Sequence, residues 1–274
     1  ADDPAEEGNR AGKGYALYRL GRLDDSALAL RSELVRNKEN WPALTLLPLV
    51  QYLAGRYDEA ASAAADFLKL KGQELQRRTR AVKPPVFAFR YPNAGVPPFI
   101  LGLCAARKGA SLEAETAFYK AIDFQYPEGE CQIQMIAGLM AQGQWAGAAA
   151  AASAAATRAQ GTAEIFVLRG IIADMEGDPE SAAAFFETAQ SLRPFEDWVV
   201  ENYAIHELMA GNPGMAEARL RKAALFTKDD PEVAELLAIA AKKSKPPAGT
   251  SGHPFHVEFV QRTRITWRYI FEQK

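Results

Sequence analysis

The stretch "RGIIADMEGDPESAAAFFETAQSLRP", residues 169–194, decides how the rest of the chain is read. At its centre, Gly177, Asp178 and Pro179 supply a turn glycine, a helix N-cap and a proline at the first helical position. "GNP" at 211–213 repeats the device, and "DDPEV" at 229–233 repeats the cap and proline and opens a last helix through about Lys243. Working outward, turn glycines stand at 21, 55, 109, 143, 177 and 211, separated by 34, 54, 34, 34 and 34 residues. The one exception is a repeat step plus 20 residues, so the period survives an insertion. Small residues (Gly102, Gly170, Ala114, Ala182 and Ala216) recur where two helices must approach closely. One such hairpin cannot bury its apolar stripe alone, so the units must stack.

The flanking residues resemble the tetratricopeptide repeat family. In the fifth unit Phe166, Leu168, Gly170, Gly177, Ala182, Phe186, Ala189 and Pro194 sit at or beside its signature places. The third unit has Leu101, Gly102, Gly109, Ala114, Phe118 and Ala121, with Pro127 one place late. The second keeps Gly55, Tyr57 and Ala60, and the fourth Gly143, Trp145 and Ala148. Units one and six are more degenerate, retaining Gly14, Gly21, Leu23 and Leu30, and Tyr203, Ala204, Gly211 and Ala223. The resemblance implies an all-α fold: a right-handed α-α superhelix of about six repeats plus a capping helix, over residues 7–243. The Ala-rich tract at 148–156 is then the second helix of repeat four, as its helix propensity suggests.

Two segments fall outside the period. An insertion at about 73–96 first prolongs the second helix of repeat two, then "PP" (84–85) stops it before the strand-like "VFAFRY" (86–91). After a linker at 244–252, the tail 253–274 alternates: Phe255, Val257, Phe259, Ile265, Trp267, Tyr269 and Phe271 all share one face of a strand. The tail is expected to pack on the solenoid or pair with the insertion, to join a partner's sheet edge, or to begin a further domain. Residues 1–6 are expected to be disordered. Arg77, Arg78, Arg80, Lys83 and Arg90 in the insertion, with Arg262, Arg264 and Arg268 in the tail, read as solvated surface rather than an anion site.

The resemblance also implies a ligand face, at the second, fifth, ninth and twelfth places of each first helix. By registry this gives Tyr15, Tyr18, Thr45, Leu49, Tyr52, Phe99 and Leu103 in the first three units. It gives Ile133, Ala137, Met140, Glu164, Val167, Ile171, Asp174, Trp198, Glu201, Ile205 and Leu208 in the others. The set is mostly apolar, and an apolar wall of that extent calls for a cover. The basic and Asn pattern with which some family members clamp a C-terminal carboxylate is absent at the matching places.

Composition narrows the function. A formal charge of −2 gives no global reason to expect a nucleic-acid partner, and no apolar run approaches the ~18 residues of a membrane span. Cys104 and Cys131, the two cysteines, fall on successive repeats at heights unsuited to a disulfide and read as separate buried thiols. His206 reads as a packing or surface residue, and "HPFH" (253–256) offers too few ligands for a metal. No nucleophile, phosphate-loop or cofactor motif is present, so neither catalysis nor a cofactor is expected. The expectation is a non-catalytic scaffold that binds a protein or peptide segment in an apolar concave groove, in the setting of bacterial envelope assembly. The alternatives are an interaction module of a larger enzyme or regulator, and a carrier of an apolar small molecule. Ala1 followed by "DDPAEEGN" suggests a periplasmic or secreted location, with a cytoplasmic one as the alternative.

Overall fold

The computed structural model describes residues 9–78, 94–158, 162–194, 196–225 and 231–242. Every regular element among them is a helix. In chain order these are α1 (Asn9–Arg19), α2 (Leu23–Arg36), α3 (Trp41–Leu53), α4 (Tyr57–Arg78), α5 (Val96–Arg107), α6 (Ser111–Asp123), α7 (Glu128–Ala141), α8 (Trp145–Arg158), α9 (Ala163–Glu176), α10 (Pro179–Leu192), α11 (Asp197–Met209), α12 (Pro213–Ala224) and α13 (Pro231–Ala241). The expected helical hairpins are therefore present, with α13 in the capping place. Helix α4 is 22 residues long and runs to Arg78. The strand-like segments at 86–91 and 253–274, and residues 1–6, lie outside the described residues.

The turns between paired helices share one geometry. Gly21, Gly55, Gly109, Gly143, Gly177 and Gly211 all adopt φ between +69° and +81°. The residue after each glycine donates its N–H to the carbonyl five places earlier, at 2.8–3.0 Å, as in Asp178 to Ala173 and Asn212 to Glu207. This is the Schellman closure, which satisfies a carbonyl orphaned at the helix end and requires the left-handed residue that glycine supplies. Asp178 then caps α10, its carboxylate accepting the Ser181 N–H at 3.0 Å.

In three hairpins a glycine faces a large residue sixteen places later. A Cβ on Gly170 would lie 2.7 Å from the Phe186 ring, one on Gly102 2.5 Å from Phe118, and one on Gly14 2.7 Å from Leu30. The same two places hold Pro48 and Ala64, Ile136 and Ala152, and Ala204 and Leu220 in the other units. Where the first is larger, the second shrinks, as close packing demands. Ala60, Ala114, Ala148, Ala182 and Ala216 are buried at one further common place. Repeat one has Ser26 there, and its hydroxyl is satisfied by donating to the Gly14 carbonyl at 2.7 Å.

The helices sort into two compact units, dividing after Cys131 within α7. In the first, α3 packs on both α1 and α5, so the first helices form one layer, while α2 and α4 each wedge between their own first helix and the next. In the second, α11 packs on α9 and α13. Ile133, Ile136, Val167, Leu168, Ile171, Phe186 and Val199 share one core there, and Ile205, Leu208, Leu220, Val233 and Leu236 another. Cys104 and Cys131 are free and buried, and burial pushes their thiols up to about 11 and about 12. No helix among the described residues is long and apolar enough to cross a membrane.

Candidate functional site: the layer of first helices

In the first unit the layer consists of α1, α3 and α5. Tyr15 is half-buried, and Arg19 donates to its hydroxyl at 2.9 Å. Tyr18 is buried, and that burial holds its phenol up at about 12. Thr45 and Leu49 are closed into the core. Tyr52 remains half-buried, its ring 5.3 Å from that of Tyr57 in an edge-on contact. The Arg107 guanidinium lies 4.3 Å from the centre of the Tyr57 ring and 6.0 Å from that of Tyr52. Burial raises the Tyr52 phenol, and Arg107 opposes the shift by its charge and a hydrogen bond.

Phe99 is 0% exposed. It stacks on Tyr126 at 4.2 Å and leans on Phe118 at 5.6 Å, so it is a hub of the first unit's core. Leu103 is buried beside it in α5.

In the second unit Ile133, Ala137, Met140, Val167, Ile171, Ile205 and Leu208 are all buried, with Val167, Ile171 and Ile205 wholly inaccessible. Trp198 is half-buried at the start of α11, and Glu164 is half-buried in α9. Most apolar residues assigned by registry thus pack helix against helix. The side chains left partly exposed are those of Tyr15, Tyr52 and Glu164, with Trp198, which also packs against the core of its unit.

The acidic members of the set are placed differently. Asp174 meets His206 across α9 and α11 at 2.7 Å, with side chains only 5% and 6% exposed. The imidazole also lies 5.4 Å from the Phe186 ring and 6.0 Å from Tyr203. Glu201 is buried one turn before, and Asn202 donates to the Trp198 carbonyl at 2.7 Å.

Sequence reasoning missed that pairing, and also missed Arg219. Arg219 holds buried Glu207 at 2.7 and 3.2 Å, touches Gln190, and lies 3.6 Å over the Tyr203 ring. A signal existed. Asp174 and His206 are 32 residues apart, two short of a repeat step, and so are Asp24 and Arg56, another bridging ion pair. Beside Arg219, an open cleft of about 370 Å³ lies among Gln190, Pro194, Met215, Ala218 and Lys222.

Comparison with known proteins agrees with this geometry. A tetratricopeptide repeat model matches residues 12–73 and 138–197. A tetratricopeptide repeat protein from Parabacteroides merdae superposes with a TM-score of 0.64 at 13% identity, over 87% of this chain and 86% of that one. PilW, a type IV pilus biogenesis factor, gives 0.63 at 14% identity, over 86% and 100%. The C-terminal part of a repeat protein from Cytophaga hutchinsonii gives 0.56 at 12% identity, over 83% and 79%. No curated protein matches the sequence significantly. With its hairpins, its turn closures and these matches, the chain carries tetratricopeptide repeats over residues 12–73 and 138–197 and has the helical-hairpin fold of that family.

Proposed function

We propose that the chain is a non-catalytic scaffold that captures partner-protein segments on the first helices of each compact unit, each unit taken by itself. The observation that carries this reading is the placement of Tyr15, Tyr52 and Trp198. These half-buried aromatics all stand at ligand-facing places of first helices whose other apolar members are closed into the core. Tyr and Trp are the side chains from which recognition sites are most often built, because each offers a large rigid face and a polar tip. Asp174, Glu201, Ile133, Met140, Val167, Ile171 and Ile205 would act beneath them, setting the position of the helices rather than making first contact.

The proposal includes a setting in bacterial envelope assembly and a periplasmic or secreted location. What supports the setting is likeness of fold to PilW, which is itself a type IV pilus biogenesis factor.

The experiment is affinity capture with the full chain and with a chain lacking residues 244–274. Each is compared with Trp198→Asp and Tyr52→Asp variants whose helix content is checked by circular dichroism. Capture should be lost in both variants while helicity is kept. Capture unchanged in both would move the docking surface off the first helices. Phe99 is unsuitable as a probe, since a charge at a fully buried hub would unfold the unit.

A further inference from the structure

The first-helix layer of the first unit has a charge that the whole chain does not share. Helices α1, α3 and α5 carry four basic residues (Arg10, Lys13, Arg19 and Arg107) and no acidic one, the unit's first-helix acids being Glu128 and Glu130 in the first turn of α7. In the second unit α9 and α11 carry six acidic residues (Glu164, Asp174, Glu176, Asp197, Glu201 and Glu207) against the single Arg169. With a formal charge of −2 overall, the basic layer reflects placement rather than composition.

Two of the four basic residues form a repeated device. Arg19 and Arg107 occupy the same place in repeats one and three, and each is tied to a tyrosine of the ligand-facing set. Arg19 donates to the Tyr15 hydroxyl and lies 5.8 Å from the centre of that ring. Arg107 bonds to Tyr52 and lies over Tyr57. The nearby cations are already spent: Lys108 pairs with Asp58 at 2.5 Å, and Arg56 pairs with Asp24. Arg107 is exposed, and no carboxylate among the described residues pairs with it. A guanidinium propped by two rings has lost much of its side-chain freedom in advance, so accepting a carboxylate costs it less ordering.

We propose that the first-helix layer of the first unit docks an anionic segment of a partner protein, with Arg107 and Arg19 taking its Asp or Glu carboxylates while Tyr15 and Tyr52, with Tyr57 of α4, take adjacent apolar or aromatic side chains. The proposal rests on the docking role assigned to the first helices and adds the chemistry of the occupant. Fork-shaped N–H pairs suit carboxylates, and the absence of acids on α1, α3 and α5 removes the repulsion that such a segment would otherwise meet.

The test uses the full chain and two short fluorescein-labelled peptides, one alternating Glu and Tyr and the other alternating Gln and Tyr, read by fluorescence anisotropy. The Glu peptide should bind at least about tenfold more tightly at low salt, and the gap should close as salt rises. The double variant Arg19→Ala/Arg107→Ala should erase the gap, while Arg107→Lys, which keeps charge but not the fork, should retain part of it. Equal affinities for the two peptides, a gap that survives the double variant, or no binding of either peptide would overturn the proposal. The scaffold reading is judged separately, by loss of capture in Trp198→Asp. Capture retained by Arg19→Ala/Arg107→Ala but lost by Trp198→Asp would overturn the anionic occupant alone.

Discussion

Replacing Gly170 by alanine puts a methyl group into the face of Phe186, 2.7 Å from a ring carbon that is itself fully buried. Alanine would ordinarily favour the helix by about 1 kcal/mol, but overpacking of this kind costs about 1–3 kcal/mol. Gly170→Ala should therefore be neutral to destabilising in a urea titration. Adding Phe186→Leu should recover stability, since repeat six already pairs Ala204 with Leu220 at these places. A double-mutant cycle showing no coupling would refute the argument. The turn glycines behave differently: a Cβ on Gly177 meets nothing within 4 Å, so its φ of +80° alone makes substitution costly.

Much of this residue-scale pattern was legible beforehand, because a positive-φ turn and a close crossing each tolerate few residue types. Asp174 and His206 were not, since their meeting depends on how far α9 is rotated against α11. The closure of Phe99, Leu103, Ile133 and Val167 was equally hidden. Registry tells which way a side chain points, but not whether the next helix has come close enough to cover it.

At the scale of one helix and its neighbour, capping and buried charge decide the balance. Asn40 accepts the Ala43 N–H at 3.0 Å and donates to buried Glu33 at 2.8 Å, so it caps α3 and ties it to α2. Asn40→Ala should cost about 1–2 kcal/mol by chemical denaturation. Arg219→Ala strands the Glu207 carboxylate, only 4% exposed, and should cost about 3 kcal/mol. Pairing Glu207→Gln with Arg219→Met should restore most of that loss. The Asp178 cap gives a pH dependence of known sign. Its carboxyl is held below the usual range by hydrogen bonds from Ser181. Its contribution is therefore present above the ordinary carboxylate pKa and is lost as pH falls through the lowered one. The stability difference between the wild type and Asp178→Ala, clear at neutral pH, should vanish in strong acid.

For the molecule as a whole, stability in a repeat array is a sum over hairpins and their interfaces. The two buried thiols read it out. Because Cys104 ionises only at about 11 when folded, its contribution is intact below its ordinary value of 9.0 and falls away as pH rises from there. Alkaline loss of stability should lessen in Cys104→Ala. Neither cysteine should react with an alkylating reagent at neutral pH until the chain opens, as mass spectrometry of the labelled protein would show.

The sixteen-residue spacing between each hole and the side chain that fills it also sets where foreign sequence can be spliced. One residue added between Gly170 and Phe186 would swing the ring about 100° round its helix, out of the notch carved for it. Extra length placed between hairpins disturbs no such spacing, and the one long gap in the series, from Gly55 to Gly109, begins by lengthening α4 and not inside a turn. A reporter or epitope grafted past Arg78 should leave every notch filled, whereas the same graft at Gly177 should cost the protein that hairpin.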